Sequence, residues 1–340
     1  MRIVGKEERA VFDGILINAI ILIASLLVLA KASHLTITNA VKVANVTGFG
    51  KTTIGFLMVA FLTSLPELLV SIIAVLGQTV TGQEAIGIAI GNVLGSNIVN
   101  ICLILGICIL IASFRNPKTT KLVPFMTKEE FGSLHFGLFV ASIIPLTLLY
   151  IGYASRLIGV ILLAIFAIYT YQLSKVRNIK ENGTLGAESH KLGRYTFLAF
   201  LGAIGVVASS YFIVDSATSI ATEAGVSKLI IGATIVAFGT SIPELATSIE
   251  ATRQGHLDLA FGNIIGSGFI NITLILGVTL IASQFTVSIA AFSDLVMFSL
   301  ITNLFLWYFL SSDRIGRREA SVLLFIYFLF LTISVSGYRP

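Results

Sequence analysis

Charged residues are scarce in this 340-residue chain: Asp, Glu, Lys and Arg make up 11% of it, where a soluble domain carries about 25%. With 56% hydrophobic residues and a mean hydropathy of +0.97, that excludes an ordinary soluble domain and leaves an integral membrane protein. Cysteine is nearly absent too. Cys102 and Cys108 stand six apart in one apolar run, on different sides of a helix, so neither a disulfide nor a metal-binding pair is expected. The four histidines, His34, His135, His190 and His256, all fall near loops, and none is set beside a carboxylate in a way that points to catalysis. Paired aspartates, a Ser–His pair and an H-E-x-x-H motif are all missing, which argues against an intramembrane enzyme. The net charge of +5 has no basic helix stripe behind it, so nucleic acid is not a partner.

Apolar runs of about 20 residues mark ten spans, near 14–31, 52–77, 84–112, 133–151, 156–174, 195–214, 228–252, 258–282, 290–310 and 320–337. The expectation is an all-α membrane protein of two five-helix repeats, 1–174 and 195–340, joined by a polar linker at 175–194. Gly14 to Ala30 follows a charged stretch, but it is long for a signal-peptide core. Ala30-Lys31-Ala32 offers no small-residue cleavage site, so the run reads as the first span. The odd-numbered loops hold 3, 4, 5, 1 and 3 of the Lys and Arg residues, 16 of the 22. The positive-inside rule then places those loops and the linker in the cytoplasm and both termini outside the cell membrane. Asn45-Val46-Thr47 and Asn182-Gly183-Thr184 match a glycosylation pattern on that cytoplasmic side, and Asn271-Ile272-Thr273 matches it within the membrane, so none should be used.

What the chain does have is one polar motif twice. Thr63-Ser64-Leu65-Pro66-Glu67-Leu68 returns as Thr240-Ser241-Ile242-Pro243-Glu244-Leu245. Each copy is followed by a glycine-rich block, Gly91 to Gly106 and Gly262 to Gly277, and ten of the sixteen positions in these blocks are identical. The offset is 177 residues at the first motif and 171 at the second, a six-residue insertion near Gly77 to Glu84. Five spans per repeat is an odd number, so the second copy enters the membrane inverted. That is the architecture in which substrate sites form at the midplane from interrupted helices.

The residue types fit a cation site. Pro66 and Pro243 each remove a backbone donor and should free carbonyls near Thr63 and Thr240, aimed at a cation by the half-helix end. Glu67 lies four after Thr63 and three after Ser64, so the three share a face, and Glu244 stands likewise to Thr240 and Ser241. Ser96 with Asn100, and Ser267 with Asn271, are spaced i, i+4 and supply an opposite wall, while Gly91, Gly95, Gly262 and Gly266 allow close helix approach. Calcium takes six to eight oxygens including carboxylates, and sodium accepts neutral oxygens. The absence of His and Cys from the set argues against zinc or copper.

Other polar residues carry weaker expectations. Asn97 has Gly268 as its counterpart and reads as a packing or supporting residue; Asn92 and Asn263 are symmetric and read as caps or braces of the breaks. Asp215, Glu223, Glu84 and Asp258 lie near span ends and should be solvated, and Asp294, deeper but without a repeat partner, reads as structural.

These paired blocks resemble the two α-repeats of the cation/calcium exchanger superfamily, in its prokaryotic sodium/calcium exchanger branch, over essentially the whole chain (α-repeat motifs at 60–106 and 237–277). The resemblance implies that Glu67 and Glu244 are central calcium ligands shared with sodium, joined by the carbonyls of Thr63 and Thr240. It further implies that Ser64, Ser241, Ser96 and Ser267 line flanking sodium sites, with Asn100 and Asn271 at the centre and the carbonyls of Ala60 and Ala237 completing a sodium site. Three departures stand out. Asn271 occupies a position where some relatives carry Asp, which leans toward potassium-independent exchange. Leu62 replaces a glycine that Gly239 keeps, and Gly268 replaces an Asn. The Gly-Asn-x-x-Glu pattern typical of the proton-coupled branch is absent.

The resemblance therefore implies a sodium/calcium antiporter with no cofactor, in which one chain suffices for transport. Two carboxylates give an empty site of charge about −2; one Ca²⁺ neutralises it, and three Na⁺ leave it positive and the cycle electrogenic. The first and sixth spans carry no ligands and are rich in small residues, so they are expected to slide past the ligand-bearing core. Calcium/proton exchange in the same fold is the alternative. A cation channel is the second class, disfavoured because filters are built from rings of like groups.

Overall fold

The computed structural model describes residues 4–76, 82–115, 126, 128–175, 189–223, 237–282, 285–286, 289–312 and 315–336. The first helix, α1 (Val4–Thr47), runs for 44 residues, well past the end expected at Lys31. The stretch 32–47 contains no proline or glycine, and the helix stops only at Gly48, whose φ of 74° is the left-handed geometry that closes helices. Lys31 and Lys42, which made this stretch read as a loop, lie on its exposed face.

Next come α2 (Lys51–Thr63) and α3 (Leu65–Leu76), bent by 41° at their junction. The helix α4 begins as Gly82–Ile98, widens into a π-helical stretch at Val99–Leu105, and ends as Gly106–Arg115. Then follow α5 (Lys128–Ile151), β1 (Tyr153–Ala154), α6 (Arg156–Leu173) and α7 (Leu192–Glu223). A short turn at Ala237–Gly239 leads to α8 (Ile242–Arg253) and to α9, which runs as Leu257–Ile270, a π-helical stretch Asn271–Ile275, and Leu276–Ala282. The chain closes with β2 (Phe285–Thr286), α10 (Ile289–Ser311) and α11 (Arg317–Ser336). Among the described residues, seven helices are long and apolar enough to cross a membrane, and the bent α2–α3 pair makes an eighth. Part of the expected seventh span (228–236) and most of the linker (176–188) lie outside the described residues. Among the described residues, the one departure from all-helix is a two-residue ladder, in which β1 and β2 pair antiparallel.

Contacts between connections define two ends. At one, Glu130 at the start of α5 meets Gly50, and Arg115 at the end of α4 donates to the carbonyl of Arg253 at the end of α8. At the other, β1 and β2 join the end of α5 to the start of α10. The first motif therefore leaves the end at which the second motif arrives, and α4 and α9 run oppositely as well. The π-helical stretches of α4 and α9 begin at Val99 and Asn271, one position apart under the 171-residue offset, and α2 has a third at Gly55–Val59.

The core is layered by burial. In the most apolar windows of α4 and α9, 72% and 83% of residues are buried, against 17% in α1 and α6, so the glycine-rich helices form the centre while α1 and α6 expose apolar faces at the periphery. Crossing of α2 over α9 depends on glycine: a Cβ at Gly262 would overlap the carbonyl of Thr52, one at Gly55 that of Leu259, and one at Gly266 would stand 2.8 Å from Phe56 Cα. This near-backbone contact brings the first motif against the second glycine block. α1 and α7 lie along each other and share a small cluster of Leu29, Ala32, Val206 and Ile213, against which Ile242 and Ala246 of α8 pack, while Ile37, Ala40, Val43 and Ala44 of α1 join the main core. There a Cβ on Gly202 would stand 2.5 Å from Thr36 Oγ1 and 3.0 Å from the Ala32 carbonyl.

Gly262→Val must push α2 off α9. It should destabilise the protein by about 3 kcal/mol, seen as a lower thermal midpoint of the detergent-solubilised protein, while the equivalent change at Gly91, where a Cβ meets nothing within 4 Å, should be tolerated.

Candidate functional site

Both helix breaks have the same local cause. Pro66 lacks an N–H for the preceding turn, and the ladder resumes with Leu68 N on Ser64 O at 3.1 Å; after Pro243 it resumes with Leu245 N on Ser241 O at 3.0 Å. Ser64 and Ser241 take nearly identical conformations, φ −83°, ψ 6° and φ −90°, ψ 4°. The carbonyls of Thr63 and Thr240 thus stand at the two breaks, one turn before Glu67 and Glu244. Both glutamates are fully buried.

The second carboxylate is held by serines from both copies. Ser267 Oγ donates to Glu244 Oε1 at 3.2 Å, and Ser64 Oγ lies 3.0 Å from Ser267 Oγ and 3.3 Å from the same Oε1. The counterpart group is arranged differently. Both carboxylate oxygens of Glu67 and the Ser241 hydroxyl are buried without a partner, while Ser96 donates to the Asn92 carbonyl at 2.7 Å and accepts from Asn271 Nδ2 at 3.0 Å. Asn271 Nδ2 also reaches Asn97 Oδ1 at 3.3 Å. Buried and unpartnered along with Glu67 are Glu244 Oε2, Asn271 Oδ1 and both amide atoms of Asn100.

Asn92 and Asn263 brace the breaks, as their symmetry suggested, and they do so across the repeats. Asn263 Nδ2 donates to Ser248 Oγ at 2.9 Å and Thr247 Oγ1 at 3.1 Å, and its Oδ1 accepts from Thr63 of the first motif at 3.3 Å. Asn92 Nδ2 reaches the Glu67 carbonyl and Ser71 Oγ at 3.3 Å each, and its Oδ1 faces Thr240 Oγ1 of the second motif at 3.5 Å. The pattern was legible in Ser71 and Ser248, which also recur at the 177-residue offset. The Ala60 carbonyl, expected as a sodium ligand, already accepts from Ser64 N at 3.0 Å and Thr63 Oγ1 at 3.3 Å. Ala237 lies in the short turn before the second break.

Residues set aside in sequence fall outside this cluster. Asp215 and Asp294 lie on exposed helix faces, and Asp258 accepts from Leu259 N at 3.0 Å at the start of α9; the side chains of Glu84 and Glu223 are outside the described residues. His34 does have a carboxylate partner that its sequence neighbourhood did not reveal: its Nδ1 lies 2.8 Å from Glu250 Oε1, where Gln254 also binds, joining α1 to α8 away from the site. His256, in the turn after α8, is pushed down to about 4 by burial and by the charge of Lys51. Cys102 faces Thr302 at 3.2 Å and Cys108 is buried, both as free thiols.

Chemically, the arrangement is two carboxylates ringed by hydroxyl, amide and carbonyl oxygens, several with no protein partner. Among the described residues, no cluster of three or more His, Cys, Asp or Glu forms. Such a donor set suits a hard cation. Because Asn263 is fully buried and Asn92 half-buried, Asn263→Ala should cost about 2–3 kcal/mol of stability and Asn92→Ala about 1, measured by thermal unfolding in detergent.

Residues 17–175 and 194–336 match the model of the sodium/calcium exchanger protein family. Inner membrane protein YrbG of Escherichia coli is 30% identical over 309 residues, covering 86% of this chain and 89% of its own. Sodium/calcium exchanger MaX1 of Methanosarcina acetivorans is 29% identical over 360 residues, 94% of this chain and 99% of its own. Among solved structures, the sodium-calcium exchanger NCX_Mj superposes with a TM-score of 0.76 at 27% identity, covering 96% of this chain and 100% of that one. The activities named among these relatives are ion exchange, not catalysis. The duplicated breaks, the buried carboxylate pair and the match across both repeats lead to one assignment: this multi-pass membrane chain belongs to the sodium/calcium exchanger protein family.

Proposed function

We propose that the chain is a sodium/calcium antiporter that exports calcium by alternating access, driven by inward sodium, and that each cycle is electrogenic and potassium-independent. The observation that carries this is the set of buried oxygens without partners around Glu67 and Glu244. Unpaired polar groups in a membrane interior are costly and mark ion pathways. In this reading Glu67 and Glu244 hold calcium with the carbonyls of Thr63 and Thr240, and sodium takes the same carboxylates. The hydroxyls of Ser64, Ser241, Ser96 and Ser267 and the carbonyls of Ala60 and Ala237 line flanking sodium positions, with Asn100 and Asn271 between them.

Charge sets the coupling. The empty site carries about −2, so one Ca²⁺ leaves it neutral and three Na⁺ leave it at about +1, a difference worth about 2.3 kcal/mol per charge per 100 mV of membrane potential. The full architecture in this reading is ten spans in two inverted repeats, 1–174 and 195–340, with both termini outside and the 175–194 linker in the cytoplasm. In this reading the moving part is the α1–α7 pair, which shares a small apolar cluster separate from the main one and bears none of the site residues.

Two experiments test this. Proteoliposomes loaded with sodium and diluted into sodium-free medium should take up radiolabelled calcium, and Glu67→Gln should abolish uptake. Uptake that ignores sodium but follows a pH gradient would move the assignment to calcium/proton exchange. For the moving pair, Gly202→Leu should wedge α7 against Thr36 and lower the turnover rate at least tenfold. The same variant should still bind calcium, read as calcium-dependent thermal stabilisation, because α7 contributes no ligand.

A further inference from the structure

The pseudo-symmetric site is asymmetric at its two central amides. Asn271 is tied down. The hydroxyl proton of Ser96 is committed to the Asn92 carbonyl at 2.7 Å, so the Ser96 oxygen can only accept from Asn271, which turns the Nδ2 side of that amide toward it at 3.0 Å. Asn97 Oδ1 accepts from the same Nδ2 at 3.3 Å. With both Nδ2 protons engaged, Asn271 Oδ1 is left buried and unpartnered. The counterpart amide, Asn100, has no such clamp: its Oδ1 and Nδ2 are both buried without partners. The sequence difference behind this is Gly268, which stands where the second copy would need its equivalent of Asn97. A Cβ at Gly268 would sit in ordinary contact with Asn97, 3.4 Å from its Oδ1 and 3.7 Å from its Cγ, so the Asn97 amide lies directly against the position its counterpart would occupy.

We propose that Asn97 is a positioning residue for cation binding, which by accepting from Asn271 Nδ2 beside Ser96 locks the flip of that amide and so makes Asn271 an oriented oxygen ligand and Asn100 an adaptable one. The inference rests on the cation-site reading above. Its physical basis is the amide dipole: flipped the other way, Asn271 would direct the positive end of its NH₂ group at a bound cation. Because Asn271 holds a neutral amide, its orientation matters more than it would for a carboxylate, whose two oxygens are alike. Only one of positions 97 and 268 carries the amide, so the two halves of the site are unequal by construction. Asn100, with a donor and an acceptor both free, can turn its oxygen to a cation or its NH₂ group to a carboxylate, as occupancy demands.

The test is a double-mutant cycle in the full chain reconstituted in proteoliposomes. Asn97→Ala should raise the KM for calcium about tenfold with the maximal rate within about twofold. Asn97→Leu, which keeps the volume and removes the acceptor, should do the same, and it carries the test if the alanine variant does not fold. Asn97→Asp, which retains an acceptor oxygen, should hold the low KM. In the Asn271→Ala background, Asn97→Ala should add nothing. A KM unmoved by both Asn97→Ala and Asn97→Leu, or an undiminished Asn97 effect in the Asn271→Ala background, overturns the proposal. A loss of maximal rate with KM intact overturns it as well. Cation-dependent thermal stabilisation in detergent, titrated separately with calcium and with sodium, reads the same cycle without transport. A wild type that binds cations but moves no calcium therefore sinks the exchange assignment and leaves the positioning role to be judged on the binding midpoints.

Discussion

Two carboxylates buried together without cationic side chains are the constraint from which the rest of the molecule follows. Glu67 and Glu244 are fully buried, and neither forms an ion pair with a lysine or arginine among the described residues. Removing an ionised carboxylate from water costs several kcal/mol even after relaxation, and two like charges compound it. A cation from solution is the natural counter-charge. In the proposed cycle this makes exchange obligatory, since an empty, doubly negative site is the most expensive state to carry through occlusion. One calcium or several sodium ions remove that barrier, and neither needs a protein side chain to change its role.

The scaffold around the pair is neutral, and that too has a physical reason. A lysine or arginine near the site would compete with the transported cation, so the breaks are held by amides and hydroxyls instead. Asn263 and Asn92 each tie a serine of their own copy to a threonine of the other, so the two breaks are referenced to each other rather than to their own helices. Those short bridges are possible only because Gly55, Gly262 and Gly266 let α2 and α9 approach at backbone distance. Glycine at the crossing and asparagine at the brace form one device: the first sets the spacing that the second spans.

Much of this was legible in the sequence because it occurs twice. The breaks at Pro66 and Pro243, the opposite running of the two motifs and the burial of Glu67 and Glu244 follow from a repeat read against lipid as solvent. What was not legible depends on contacts that have no sequence spacing. The first helix outruns its expected end because the apolar run closes near Lys31, although an exposed lysine stem lies comfortably on a helix and nothing before Gly48 breaks the backbone. The pairing of His34 with Glu250 joins residues 216 apart. The unequal treatment of Asn100 and Asn271 turned on Gly268, a substitution whose meaning appears only once Asn97 is seen lying against it.

The length of α1 has a consequence for the membrane itself. The segment Gly14–Thr47 is 34 residues, a rod of about 50 Å at 1.5 Å per residue, whereas the hydrocarbon layer is about 30 Å thick. Its exposed Lys31, His34 and Lys42 all fall beyond the apolar run that ends at Ala30. Such a rod leans or projects, and the lean sets how much of its apolar run the lipid tails must match, at a modest cost per ångström of mismatch. In the proposed cycle, displacing it together with α7 past the core changes that adjustment. In that cycle the thickness of the host bilayer enters the free-energy difference between the two access states, which makes lipid chain length a thermodynamic variable alongside the ion gradients.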